Sequence, residues 1–379
     1  MRMSVRFAHT LSSTVILFAS TSFAFAASFQ GLGTLGGERP QSHAYGVSDN
    51  GVVVGFSKSN SGREAFSWTK SGGMVGIGYL PAAAAYSDAR GVSSDGNVII
   101  GIARSLASEA SGNPYEAFRW TQSMSMQGLG DLPGGNYESS SNACSADGST
   151  IVGMSISGIG YEAFRWTEDD GIVGLGHLPD GVFSGATGVS ADGTVIVGYS
   201  ESGSESAYEA FRWTEAGDMQ GLGDLPGGGF YSDAAAISAD GTTIIGYSDS
   251  GLGTGYEAFR WTQADGMQGL GSLGSQSFLW AISGDGSVVV GENQDGALVW
   301  DAIGGVRNLE SVLESYGVVT NGWTLSQATD VSHDGLTIVG YGINPDGNKE
   351  AWIATIPEPA TLGVLALGGL AVLRRRRRC

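Results

Sequence analysis

The chain has 379 residues, with 63 glycines but only 9 prolines, a formal net charge of −19 and a hydrophobic fraction of 41%. Glycine at about 17% is more than twice its usual ~7%, yet no Gly-X-Y period accompanies it, which excludes collagen, and so apolar a chain is not disordered. What remains is an acidic, glycine-rich, foldable sequence, long enough for one large all-β domain.

Residues 1–26 open with Arg2 and Arg6, run apolar from Val15 to Ala26 and close on Ala24-Phe25-Ala26. A charged start, a short apolar stretch and a small-x-small end are the features of a secretory signal peptide, removed by signal peptidase. After it comes Gly31 to Leu35, which reads as a single strand without partners of its own.

Residues 27–356 then carry seven copies of one unit. A Ser-x-Asp-Gly turn followed by a β-branched run and Gly recurs at Ser48, Ser93, Ser145, Ser190, Ser238, Ser283 and Ser332, the first copy carrying Asn50 in place of Asp. A second motif, Glu-Ala-Phe-Arg-Trp, places Trp at 68, 120, 166, 213, 261, 300 and 352, the last two copies being degenerate. A third, Gly-Leu-Gly-x-Leu, starts at Gly31, Gly76, Gly128, Gly174, Gly221 and Gly269, with a weaker relative from Val306 to Leu313.

One unit reads as four short strands. Thr187 to Ser190 leads through Asp192-Gly193 into Thr194 to Tyr199, followed by Glu209 to Thr214, a turn at Ala216-Gly217 and Met219 to Leu225. Asp-Gly between β-branched runs is a strong hairpin signal, and no segment between the two ends shows a helical period. Four strands per roughly 47 residues, repeated, predict a seven-bladed β-propeller. A β-sandwich and an open solenoid are the alternatives. Only the propeller explains why the last unit, Thr329 to Ile356, lacks a fourth strand that Gly31 to Leu35 can supply. These repeats resemble the extracellular HAF family, named for His-Ala-Phe. Glu64, Glu116, Glu162, Glu209 and Glu257 stand where that family has His, while Ala-Phe-x-Trp is kept. The resemblance implies an exported repeat protein and no known chemistry.

Residues 357–379 form the other end: Pro357-Glu358-Pro359, then 14 uncharged residues from Ala360 to Leu373, then Arg374, Arg375, Arg376, Arg377 and Arg378. Fourteen helical residues reach ~21 Å against a hydrocarbon core of ~30 Å. Arginine stems extend that reach, and the basic cluster stays on the cytoplasmic side. The arrangement resembles the PEP-CTERM sorting signal of Gram-negative bacteria. That resemblance implies anchoring in the membrane, at least transiently, and processing near the motif by an exosortase, a transpeptidase-like membrane enzyme. A plain C-terminal anchor shares the topology without the cleavage.

Residues 27–357 hold 12 Lys and Arg against 37 Asp and Glu, a surface that repels nucleic acid and excludes it as a partner. Arg119, Arg165, Arg212 and Arg260, with the repeated glutamates, recur in register. Ion pairs and hydrogen bonds between neighbouring blades are expected of them, rather than a ligand ring or a metal site. Each turn Asp is turn chemistry, and no Asp-x-Asp-x-Asp calcium loop occurs. The histidines, His9, His43, His177 and His333, lie in different segments, and no nucleophile elbow, His-x-x-x-His pair or phosphate loop is present. No catalytic residue, metal ligand or cofactor is therefore assigned. Cys144 stands where other repeats carry Val or Ile and reads as a small buried hydrophobe.

Loops between strands two and three, and four and one, vary most: Arg104 to Pro114, Pro133 to Asn142, Glu201 to Ala207 and Ser315 to Trp323. In a propeller both sets emerge on one face, where binding concentrates. They bring Tyr86, Tyr137, Phe183, Tyr231 and Phe278 to similar places, and Tyr86 and Tyr231 each begin Tyr-Ser-Asp-Ala, which adds Asp88 and Asp233. Two roles stay open for these rings, stacking on sugars beside the carboxylates and wedging blades apart. The expected function is that of an exported surface or matrix protein, non-enzymatic, presenting a loop-rich acidic face to extracellular polymer, polysaccharide included. A propeller glycoside hydrolase or lyase and a purely structural spacer are the alternatives.

Overall fold

Each repeat is organised by its turn. In all seven copies the serine hydroxyl donates to the Asp or Asn50 side-chain oxygen two residues on, at 2.6–2.8 Å. The following glycine has φ between 68° and 81°, a region free of strain only for glycine, and it reverses the first strand into the second. The computed structural model describes residues 27–357 except 113–114, 204–206, 252–254 and 272–276. The signal segment 1–26 and, in the tail, Glu358, Pro359 and Arg374 to Arg378 lie outside the described residues.

Seven four-stranded antiparallel sheets result, and the protein is a seven-bladed β-propeller. Blades 1 to 6 span 42–78, 87–128, 134–174, 184–221, 232–269 and 278–308, and blade 7 joins 324–355 to the N-terminal strand. First strands neighbour one another around the axis. Past each turn serine, the next backbone N–H donates to the equivalent carbonyl of the following blade, from Asp49 to Ser94 (3.0 Å) through to Gly284 and His333 (3.0 Å); the His333 N–H closes the circle on Asp49 Oδ1 at 3.1 Å.

The Ala-Phe pair of the second motif explains how blades interlock. Alternation puts the two side chains on opposite faces, and the phenylalanine of each blade packs on the small residue of the blade before. Phe66 meets Ala351, Phe118 meets Ala65, Phe164 meets Ala117, Phe211 meets Ala163 and Phe259 meets Ala210. All five rings are 0% exposed. Trp352 takes this phenylalanine position in blade 7, because its partner in the second strand is Gly340, just as Phe118 pairs with Gly101. The alignment of Trp352 with the repeated tryptophans is thus corrected by two residues, and Ala354 stands in the tryptophan place.

The closing strand is also displaced from its expected position. It runs Ser28–Gly31, pairing Ser28 with Thr355 and Gly31 with Trp352, so Gly-Leu-Gly-x-Leu is the elbow that leaves the fourth strand, not the strand itself. The repeated glutamates hold this elbow. Oε1 of Glu116, Glu162, Glu209, Glu257 and Glu350 accepts the N–H of Gly130, Gly176, Gly223, Gly271 and Gly33 at 2.8–3.1 Å. A Cβ on the first elbow glycine, Gly128 for example, would sit 2.1 Å from that oxygen. The expectation of glutamate–arginine pairs between blades is overturned: the glutamates bond backbone within their own blade. Arg165 pairs instead with Asp170 at 2.8 Å, and Arg260 donates to Thr243 at 3.3 Å.

Blade-to-blade bonding falls to a buried serine of the first strand, which opens that strand in every blade named here but the third. Ser184 Oγ receives the Ala163 N–H of blade 3 (2.9 Å) and donates to Gly176 O (2.7 Å); Ser42, Ser87, Ser139 and Ser232 repeat the bridge. Ser184→Ala strands a buried N–H and is expected to cost about 1–3 kcal/mol, read as a lower urea midpoint at an unchanged m-value.

Two short helices depart from the all-strand expectation, α1 (Leu106–Ser111) capped by Ser105 and α2 (Leu309–Ser315) capped by Asn308. Six or seven residues are too few for a helical period to show in sequence. The stretch 133–142 is not a loop either: Gly134–Cys144 is one 11-residue strand.

Candidate functional site

The first and second strands carry a bulge at the same place in every blade. A bulge re-aims a side chain, and the seven bulged residues, Tyr45, Arg90, Asn142, Thr187, Ala235, Trp280 and Thr329, all line one axial cavity of about 1070 Å³. Some of them also tie blades together. Asn142 Nδ2 donates to Ala186 O (2.8 Å), Thr187 Oγ1 to Ala234 O (2.6 Å) and Thr329 Oγ1 to Ala44 O (2.9 Å). Arg90 Nη1 donates to Ser140 Oγ and Asn142 Oδ1, both at 2.9 Å.

The wall has two unlike sectors. Through blades 3 to 6 it is aromatic. Tyr161, Phe183, Tyr208, Tyr231, Tyr247, Phe278 and Trp280 form an unbroken chain of ring contacts, with successive centroids 5.4–6.4 Å apart. Tyr256 stacks on Tyr231 at 4.7 Å. Asp233 lies under this arc and accepts the Tyr247 hydroxyl at 2.9 Å. Burial pushes the Asp233 carboxyl up to about 7, against that hydrogen bond, and pushes Tyr199 up to about 12.

Through blades 7, 1 and 2 the wall is polar and basic. The Arg63 guanidinium lies 3.3 Å over the Phe56 ring and 5.4 Å from Tyr86, and pairs with Asp88. Arg104 also approaches the Tyr86 ring, at 5.8 Å, and Tyr86 packs on Tyr115 at 5.0 Å. Burial raises the Asp88 carboxyl, although Arg63 and Arg90 oppose it. His43 sits between Phe56 (4.6 Å) and Tyr341 (4.0 Å). Burial, then Lys349, Arg63 and Lys58, lower its pKa to about 3, so it stays neutral. At the seam of blades 7 and 1, Asp330 accepts the N–H groups of Val47 and Val331, each at 2.8 Å, and burial lifts it to about 7. Cys144 is half-buried at the cavity wall, and burial raises its thiol to about 12.

Of the residues singled out in the sequence, Tyr86, Phe183, Tyr231, Asp88 and Asp233 line the cavity. Phe278 stands behind it, against Tyr247 and Trp280. Tyr137 is placed elsewhere. It belongs to the long first strand of blade 3, its carbonyl accepts the Ser111 hydroxyl of α1 at 2.9 Å, and Glu116 adjoins its own hydroxyl. Sequence reasoning missed Tyr115, Tyr208 and Tyr256, although each precedes the repeated Glu-Ala-Phe, and missed Arg63, which takes the same place in blade 1.

No curated protein matches the chain. Among solved structures it resembles an oligogalacturonate lyase from Vibrio parahaemolyticus, with 11% identity over 88% of this chain and 98% of that one and a TM-score of 0.58. It also resembles the β-propeller domain of the Trilobed protease from Pyrococcus furiosus, with 10% identity, 83% and 95% coverage and a TM-score of 0.53. The Pyrococcus domain is described as having an open velcro topology, whereas here the N-terminal strand closes the ring. TolB from Acinetobacter baumannii matches at 14% identity over 71% of this chain, which spans 66% of TolB's length, with a TM-score of 0.43. At such identities the likeness is one of fold. Residues 355–378 match the PEP-CTERM protein-sorting motif, so the chain carries the signal of an exported protein, anchored in the membrane before an exosortase processes it.

Proposed function

We propose that the exported propeller binds extracellular polysaccharide across the mouth of its axial cavity. The observation that carries this reading is the aromatic arc. Trp280 and Tyr256 keep 39% and 40% of their surface exposed within it, where core rings of this fold are fully buried. Rings held against one another in T-shaped and stacked contacts offer rigid apolar surface, and Asp233 with the tyrosine hydroxyls supplies hydrogen-bonding groups beside them. A cavity of about 1070 Å³ is poorly explained by a featureless spacer. The sorting signal at residues 355–378 supports a polymer met outside the cell.

The test is a glycan array probed with residues 27–357, with and without calcium. Each blade's core is completed by its neighbours within this stretch, so it forms one unit. Binding is expected, and Tyr231→Ala is expected to weaken it about tenfold or more, with Tyr86→Ala adding to the loss. Silence across the array from folded protein would overturn the reading.

A second reading, a polysaccharide lyase or hydrolase, is favoured by one feature: a carboxyl poised near 7 beside the Tyr247 hydroxyl in a cleft, the kind of perturbed pair that active sites use. New reducing ends or unsaturated products on incubation with a bound polymer, lost in Asp233→Asn, would replace the binding role by this one.

A further inference from the structure

We infer that the polymer is acidic, a uronate-bearing polysaccharide whose carboxylates are taken by a pole built on Arg63, Arg90 and Arg104 opposite the aromatic arc. The inference rests on the polysaccharide reading and narrows it.

Charge distribution is the first argument. Residues 27–357 contain only 12 basic side chains against 37 acidic ones, yet basic groups converge on this one sector. Arg63 and Arg104 both approach Tyr86, Arg63 and Arg90 act on Asp88, and Lys58 and Lys349 join Arg63 in the field at His43. The acids that adjoin the pole are engaged. Glu64 accepts from the Tyr79 hydroxyl (3.2 Å), Glu109 from the Ala84 N–H (2.9 Å), Glu116 from Gly130 (3.1 Å) and Glu292 from the Gln327 amide (3.1 Å). Among the described residues Asp88 is the acid there that forms an ion pair with an arginine, and it anchors Arg63.

Unmet bonding is the second. Arg63 Nε, Arg104 Nε and Asp88 Oδ1 are buried without a partner, and Asp88 is only 3% exposed at the cavity wall. Buried polar atoms without partners are uncommon in a finished structure, and of the eight among the described residues four, these three and His43 Nδ1, belong to this sector. Orientation adds to this: Phe56 covers one face of the Arg63 guanidinium and Asp88 holds one of its nitrogens, so the group is fixed at the cavity wall, and a planar guanidinium held in place suits an incoming carboxylate. Asp88 offsets only one of the three arginine charges by an ion pair, which leaves the sector net basic and favours an anionic ligand over a neutral sugar.

The test compares polygalacturonate with the same polymer after its carboxyl groups are reduced, by titration calorimetry on residues 27–357. The acid form is expected to bind about tenfold tighter or better, and to weaken as salt rises. Arg63→Gln and Arg104→Gln are each expected to remove about tenfold from the acid form and to leave the reduced polymer within about twofold, with Arg63→Lys intermediate. Melting curves check that the variants fold, and Arg104→Gln decides if Arg63→Gln does not. Equal affinity for the two polymers, or both glutamine variants leaving the acid form unaffected, overturns the inference and spares the polysaccharide reading. Binding to neither polymer overturns the inference, and overturns the polysaccharide reading as well only where the glycan array is also silent. A sulfated neutral glycan that outcompetes polygalacturonate overturns the assignment to carboxylates.

Discussion

Trp352→Ala is expected to lower the stability of the propeller by about 3–5 kcal/mol. Trp352 is fully buried and is among the largest side chains so placed. It fills the seam with blade 6 and also packs on the closing strand of its own blade. On one side it shares a core with Ala297, Val299 and Leu325 of blades 6 and 7, and on the other it packs against Phe29 of the closing strand, with centroids 6.2 Å apart. The hole left by the indole has little prospect of collapsing, because its walls are strands fixed by their ladders, and cavity cost is largest where relaxation is smallest. Gly340 illustrates the tightness: a Cβ there would lie 2.6 Å from Trp352 Cζ2. Phe211→Ala deletes a smaller ring from a single seam between blades 3 and 4. Thermal unfolding should therefore show a larger fall for Trp352→Ala than for Phe211→Ala, on the order of ten degrees. Equal or smaller loss at Trp352 would mean that the closing seam is not where the ring is held.

The fold was readable because its strongest signals are local. Ser, Asp and Gly of each turn contact one another within four positions, so the seven copies announce themselves in the sequence. What misled were contacts made at a distance. Whether Gly-Leu-Gly-x-Leu is strand or elbow depends on a glutamate 14 residues away, and the place of Trp352 depends on Gly340 across the ladder. Tyr-Ser-Asp-Ala brought Tyr86, Asp88, Tyr231 and Asp233 into view because two blades share it. Tyr137 looked equivalent, but the long strand of blade 3 carries it away from the cavity. Arg63 and Arg90 stayed hidden for the opposite reason. Arg63 stands where blades 2 to 5 have Tyr115, Tyr161, Tyr208 and Tyr256, and Arg90 stands among Tyr45, Asn142, Thr187, Ala235, Trp280 and Thr329. A repeat shows what the scaffold needs, and a site is built where the repeat is broken.

The same cavity makes stability fall as pH rises from about 4 to about 7. Asp233 and Asp330 both have their carboxyls lifted by burial to about 7, so the folded state holds protons that the unfolded chain has already released. A raised carboxyl contributes its stability fully below the unfolded value and loses it as pH climbs through the folded one. The turn aspartates work in the other direction. Backbone N–H groups of Asn97 and Ser149 lead in lowering Asp95 and Asp147, and the Ser190 and Ser238 hydroxyls lead for Asp192 and Asp240. Their contribution is present above the ordinary carboxylate range and is lost as pH falls below it. Stability should thus peak between the two windows, in mildly acidic solution. Asp233→Asn keeps an acceptor for the Tyr247 hydroxyl but cannot ionise. Because the open cavity leaves the carboxyl partly solvated, its share of the decline is about 1–3 kcal/mol. Urea titrations at pH 5 and pH 8 should show that the variant loses less stability between them than the wild type does. A variant that declines as steeply as the wild type would mean that Asp233 is ionised throughout, and would remove the proton that the catalytic reading of this site requires.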